Sequence, residues 1–94
     1  MNAEMKINQA KLMLEGILND PRVPRNVKRV VQEALDYLNN ESLEPEVRAS
    51  SAITNLDEVS TDVNLPLYAR TQIWNIVTVL EEARREFISR KSKK

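Results

Sequence analysis

Residues 14–40 read LEGILNDPRVPRNVKRVVQEALDYLNN, and residues 56–82 read LDEVSTDVNLPLYARTQIWNIVTVLEE. Laid over one another at an offset of 42, they match Leu14 with Leu56, Asp20 with Asp62, Pro24 with Pro66 and Leu38 with Leu80. Glu15 and Asp57, Ile17 and Val59, Val23 and Leu65, Lys28 and Arg70, Val31 and Ile73, and Leu35 and Val77 are conservative pairs in the same register. What recurs is a set of apolar positions around one polar, proline-containing turn. The chain therefore reads as two copies of a helical hairpin.

The apolar spacing names the helices. Ile7, Ala10, Leu14, Ile17 and Leu18 fall three and four apart and share one face of a first helix. Asn19-Asp20-Pro21 ends it, because proline disfavours helical geometry in the residue before it and Asn and Asp bond nearby backbone groups. A second helix is expected from Pro24, with a stripe of Val27, Val30, Val31, Ala34, Leu35 and Leu38. Asn39 to Ser42 breaks the pattern, and Ser42 is the expected N-cap of a third helix with Pro45 in its first turn and Glu44 and Glu46 favouring its N-terminus. Its apolar face is Val47, Ala49, Ala52, Ile53, Leu56 and Val59. After Ser60-Thr61-Asp62, Pro66 opens a fourth helix along Ala69, Ile73, Ile76, Val77, Leu80, Ala83 and Phe87. Connections this short leave no room for a crossover, so neighbouring helices run antiparallel. The expected fold is all-α: an up-and-down antiparallel four-helix bundle built from two duplicated helical hairpins. It forms one domain over residues 1–90, with hairpins at about 5–40 and 43–89, followed by a basic tail at 90–94 expected to be disordered.

The inter-helix segments Asp20 to Arg29 and Glu44 to Ala49 are similar to the turn and second-helix start of HEAT-type repeats, although two hairpins can close on each other where such repeats form longer arrays. A closer resemblance is carried by Asn19 to Asn26 and by Asp62 to Thr71, with Val47-Arg48 and Trp74. In these the chain resembles a small, functionally uncharacterised archaeal family of about ninety residues. The resemblance implies a four-helix bundle and brings no activity, substrate, cofactor or site residue.

Composition narrows the function classes. The 94 residues contain neither His nor Cys, so there is no imidazole base, no disulfide and no thiolate metal site. Catalysis would rest on carboxylates, Lys, Arg, Tyr37, Tyr68 or a Ser/Thr hydroxyl; of carboxylate pairs Asp57-Glu58 or Glu81-Glu82 could be proposed, but adjacent helical residues point roughly 100° apart. A non-enzymatic protein without a cofactor is expected. Asp20 and Asp62 could together meet a hard cation, yet turn formation and capping account for both, and no metal site is expected. No apolar run approaches the roughly 20 residues of a membrane span, and Met1 to Ile7 lacks a secretory layout, so the expected setting is the cytoplasm without membrane contact.

Charges sum to zero but are not evenly spread: six bases and three acids to residue 32, one and eight over 33–62, seven and three thereafter. Arg22, Arg25, Lys28 and Arg29 cluster at the start of helix 2, where unpaired backbone N–H groups also favour anions. They are the candidate anion or nucleic-acid contacts, with Arg84, Arg85, Arg90, Lys91, Lys93 and Lys94 as a second basic run; neutralisation of the acidic middle is the competing reading. No aromatics interleave these bases to form a stacking platform. Trp74 lies beside the helix 4 stripe, in line with Leu67 and Arg70, and these three are the candidate protein contacts, though Trp74 could instead roof the bundle. The leading expectation is a small bundle that binds another protein as adaptor or scaffold. A nucleic-acid or ribonucleoprotein accessory is the alternative, a carboxylate-dependent enzyme the third reading, and a homodimer by hairpin exchange stays open.

Overall fold

The four helices are α1 (Ala3–Leu18), α2 (Arg25–Leu38), α3 (Pro45–Val59) and α4 (Leu67–Ser92), in a computed structural model that describes residues 2–92. Every turn between them is built the same way. Asp20, Asn40 and Asp62 each turn a side-chain oxygen back onto the backbone, accepting from the N–H of Arg22 (2.9 Å), Ser42 (3.0 Å) and Asn64 (2.8 Å). Their carbonyls accept from the N–H of Val23, Leu43 and Leu65 at 3.1–3.2 Å. These bonds satisfy groups that would otherwise continue the helix, and each chain then straightens before re-entering helical geometry. Pro24 (φ −58°, ψ 150°) and Glu44 (φ −60°, ψ 147°) are that extended residue, and Pro66 holds the equivalent place. No described residue takes a positive φ, so the helices stop without a left-handed glycine.

The repeat is thus finer than the two-copy pattern in the sequence, and it corrects three expectations. Ser42 is not the N-cap of α3; its N–H and hydroxyl both serve Asn40 Oδ1, and Glu44 takes the cap position without a side-chain bond. Pro24 and Pro66 stand just outside their helices, since their carbonyls, not their missing N–H groups, begin the ladder with the N–H of Lys28 and Arg70. Arg90 and Lys91, assigned to a tail, continue α4, which ends at Ser92; Lys93 and Lys94 lie outside the described residues.

Each helix packs on its two neighbours in the order α1, α2, α3, α4 and back to α1, and the α1–α2 seam is the thinnest. The up-and-down antiparallel bundle follows. Leu14, Val27, Val31, Leu56, Ile73, Ile76 and Leu80 are fully buried in one aliphatic core. Ala10 and Ala52, equivalent under the 42-residue offset, are both fully buried and keep α1 and α3 close to it. Val47, expected in the core, is 41 % exposed. It sits on the first turn of α3, ahead of the residues that face inward.

Helix α4 has 26 residues to the 16 of α1, and its last turns overhang the start of α1. There Ala3, Ala83 and Phe87 form a second, smaller cluster. Since Leu14 and Leu56 occupy equivalent and equally buried places, Leu14→Ala and Leu56→Ala should each lower the unfolding free energy by about 2–5 kcal/mol, by similar amounts, in urea denaturation. A loss well under about 1 kcal/mol at either position would contradict a shared core.

Candidate functional site

The turn aspartates do more than shape their loops. Asp20 Oδ2 accepts from the Tyr68 hydroxyl at 2.7 Å, and Asp62 Oδ2 accepts from the Asn26 side-chain amide at 2.7 Å. Asn26 and Tyr68 are themselves 42 residues apart, so each hairpin's second helix reaches the other hairpin's turn. With both carboxylates engaged, a turn role accounts for Asp20 and Asp62, and among the described residues no group of three or more potential ligands gathers for a metal.

Arg22 forks onto Asp20 through Nε (3.1 Å) and Nη2 (3.2 Å), and its guanidinium lies 4.6 Å from the centre of the Tyr68 ring. Hydrogen bonds from the Arg22 side chain, the Arg22 backbone and Tyr68 hold the Asp20 carboxyl down to about 2. The bond to Asp20 raises the Tyr68 hydroxyl, so that it stays protonated as a donor. Arg29 pairs with Glu33 at 3.0 Å one turn along α2. The structure therefore brings the basic cluster to one end of α2 but engages Arg22 and Arg29 with carboxylates. Arg25 and Lys28 have no ion-pair partner among the described residues. Of the C-terminal bases, Arg90 and Lys91 are tied down too, while Arg84 and Arg85 have no ion-pair partner among the described residues. Arg90 grips Glu4 through two nitrogens (2.6 and 3.1 Å), Lys91 bonds Glu46, and these donors lower both glutamates below their ordinary range.

The trio Leu67, Arg70 and Trp74 divides. Arg70 folds back, giving Nε to the Ser60 carbonyl (2.9 Å) and Nη2 to that of Asp62 (3.1 Å), as Arg48 does to Leu43 and Glu41 in the preceding turn. Leu67 and Trp74 face outward, 71 % and 54 % exposed. Sequence reasoning missed the two residues that join them. Thr71 and Thr78, both exposed, turn their hydroxyls onto the carbonyls of Leu67 (3.2 Å) and Trp74 (3.0 Å), so that these hydroxyls are engaged within the helix. Leu67, Thr71, Trp74 and Thr78 thus lie on one uncharged line at spacings of four, three and four, with Leu67 and Trp74 its large apolar members, and Ile88, 44 % exposed, falls on the same track.

The duplication supplies an internal control for that line. At the equivalent positions α2 carries Arg25, Arg29, Gln32 and Asp36, all exposed and with Gln32 bonded to Asp36. The same place in the fold carries charge in one hairpin and none in the other. The signal lay in the alignment of the two halves, at positions where they disagree.

Residues 1–83 match the model of a family described as Uncharacterised protein family (UPF0147). Two curated relatives described as UPF0147 proteins are similar over 81 residues: one from Aeropyrum pernix at 49 % identity and one from Desulfurococcus amylolyticus at 46 %, each match covering 86 % of this chain and 89 % of the relative. The crystal structure of unknown function protein MMP1188 superimposes with a TM-score of 0.78 at 45 % identity, over 81 % of this chain and 86 % of that one. The expected kinship with a small archaeal family is borne out, and these matches attach no activity to any residue.

The Asp20 geometry generates a pH prediction. Because its folded pKa lies below the ordinary 3.8, its contribution is complete above about 3.8 and is lost as pH falls towards about 2. The stability gap between the native chain and Asp20→Asn should be widest near pH 5 and should close on acidification to pH 2. A gap of constant size in urea melts across that range would show that the carboxylate charge plays no part.

Proposed function

We propose that this chain, which belongs to the UPF0147 family, is a non-enzymatic helical module that docks an amphipathic helix of a partner protein along the outer face of α4. One observation carries the reading: Leu67 and Trp74 stand exposed on one uncharged line with Thr71 and Thr78, a line that the same fold does not require, since α2 presents Arg25, Arg29, Gln32 and Asp36 in its place. Spacings of four and three repeat every seven residues, the period with which two helices keep a continuous seam. Tryptophan supplies large, rigid contact area and is enriched among residues that dominate binding energy. The lack of His and Cys fits a binding role better than a catalytic one. A cysteine-free chain suits the cytosol, and no helix among the described residues is long and apolar enough to cross a membrane. The nucleic-acid alternative is weakened by the carboxylates on Arg22, Arg29, Arg90 and Lys91.

Trp74 is the sole tryptophan and reports directly on its own burial. Tagged chain is used to capture partners from a lysate of its own source, with and without nuclease and at low and high salt, and any captured protein is then titrated against the purified chain. The expected result is a blue shift of tryptophan emission on binding, and an affinity at least about tenfold weaker for Leu67→Ser with unchanged thermal stability. Binding that leaves Trp74 emission and the Leu67→Ser affinity unaltered would place the interface elsewhere. Recovery only of nucleic acid that salt removes would favour the basic cluster instead.

A further inference from the structure

A cavity of about 300 Å³ opens at the end of the bundle where α4 overhangs α1, and all four helices contribute to its wall. We propose that it binds a small amphipathic carboxylate, an anionic head on a short aliphatic or aromatic body, independently of the α4 face. The apolar lining is Ile7, Leu38, Pro45 and Phe87, of which Leu38 and Phe87 are buried. It belongs partly to the main core and partly to the small cluster around Phe87, so the cavity lies where the two cores meet.

The charge of the wall is what selects the ligand. Lys11 is half-buried there and has no carboxylate partner among the described residues. Arg48 gives its Nε and Nη2 to the carbonyls of Leu43 and Glu41, neutral groups that leave its charge uncompensated. Glu4 is the single carboxylate in the wall, and Arg90 already neutralises it from outside. Helices α1 and α3 begin at this end while α2 and α4 finish there, so the helix dipoles oppose one another and the side chains set the sign. Two unbalanced cations beside an apolar lining fit a monoanion with a hydrocarbon body. Inorganic phosphate would leave the lining empty, and an alcohol would leave the cations unmatched.

The duplication shows again what the fold alone would place here. The residue equivalent to Lys11 is Ile53, which packs against the main core from α3, where the α3–α4 seam is full. On α1 an ammonium replaces that isoleucine, and the α1–α2 seam is the thinnest in the bundle. Where α3 packs a hydrocarbon on the core, α1 thus presents a cation to the cavity.

The test uses sodium octanoate as the probe on the full chain, followed by amide NMR, with octanol, octylamine and inorganic phosphate as controls. The expected result is saturable shifts centred on Ile7, Lys11, Leu38, Arg48 and Phe87 with octanoate and weaker or absent effects with the controls. Lys11→Gln should weaken octanoate by about tenfold while leaving the unliganded spectrum otherwise native. Shifts centred on Leu67 and Trp74, equal affinity for octanol or octylamine, or an unchanged affinity in Lys11→Gln would each overturn the proposal. None of these outcomes bears on whether a protein docks on α4, so the two readings fail separately.

Discussion

The bundle hangs on two carboxylates that each face two ways. One oxygen of Asp20 or Asp62 holds its own turn by accepting a backbone N–H, while the other accepts a donor from the opposite hairpin, Tyr68 or Asn26. A turn alone would set the angle between consecutive helices and leave the hairpins free to slide. A hydrophobic interface alone would join the hairpins but tolerate a shift of a helical turn, because aliphatic packing is not directional. The reciprocal bonds fix which turn lies beside which helix start. At the opposite end the links are ionic: one joins the two hairpins and the other ties α3 to α4 within its own hairpin. Glu4 and Glu46 are equivalent residues at the starts of α1 and α3, and α4 supplies Arg90 to one and Lys91 to the other.

This arrangement explains which parts of the fold could be read from the residues. Periodicity reports burial, so the stripe from Ala69 to Phe87 and the matched pair Leu14 and Leu56 were evident, and so was the bundle that buries them. Identity reports only chemistry that needs one residue type. Asp20 and Asp62 were visible as a pair for that reason, but the middle turn uses Asn40 for Asp and Glu44 for Pro and was passed over, with Ser42 mistaken for a cap. Asn26 and Tyr68 share no similarity beyond a donor that reaches across, which no substitution pattern would equate. The carbonyl bonds of Arg70 were not legible, because a guanidinium bonded to backbone carbonyls and one offered to a partner have the same sequence.

Charge order resolves in a comparable way. The acidic middle contains the start of α3 and the basic last third the end of α4, and the two meet where Lys91 reaches Glu44 and Glu46. Exposed pairs of this kind add little to stability singly. Their larger consequence is to lower the free positive charge of the surface, since Arg22, Arg29, Arg90 and Lys91 all face carboxylates within reach. A field strong enough to gather nucleic acid depends on cations left unmatched.

A duplicated chain carries its own reference state. Where both halves agree, as in the turn aspartates, the buried alanines and the first-turn glutamates Glu4 and Glu46, the shared architecture is a sufficient reason for the residue. Where equivalent positions are both exposed and differ in kind, architecture is indifferent and some other constraint has chosen. Trp74 against Gln32 and Leu67 against Arg25 are of that type, and an exposed tryptophan in place of glutamine works against solubility without improving the core. Lys11 against Ile53 runs the other way, a half-buried cation beside a cavity where the other hairpin packs a hydrocarbon on its core. Neither departure is required by the shared architecture. The physical case for function rests on those asymmetries, because the symmetric remainder is already explained by the need to hold two hairpins together.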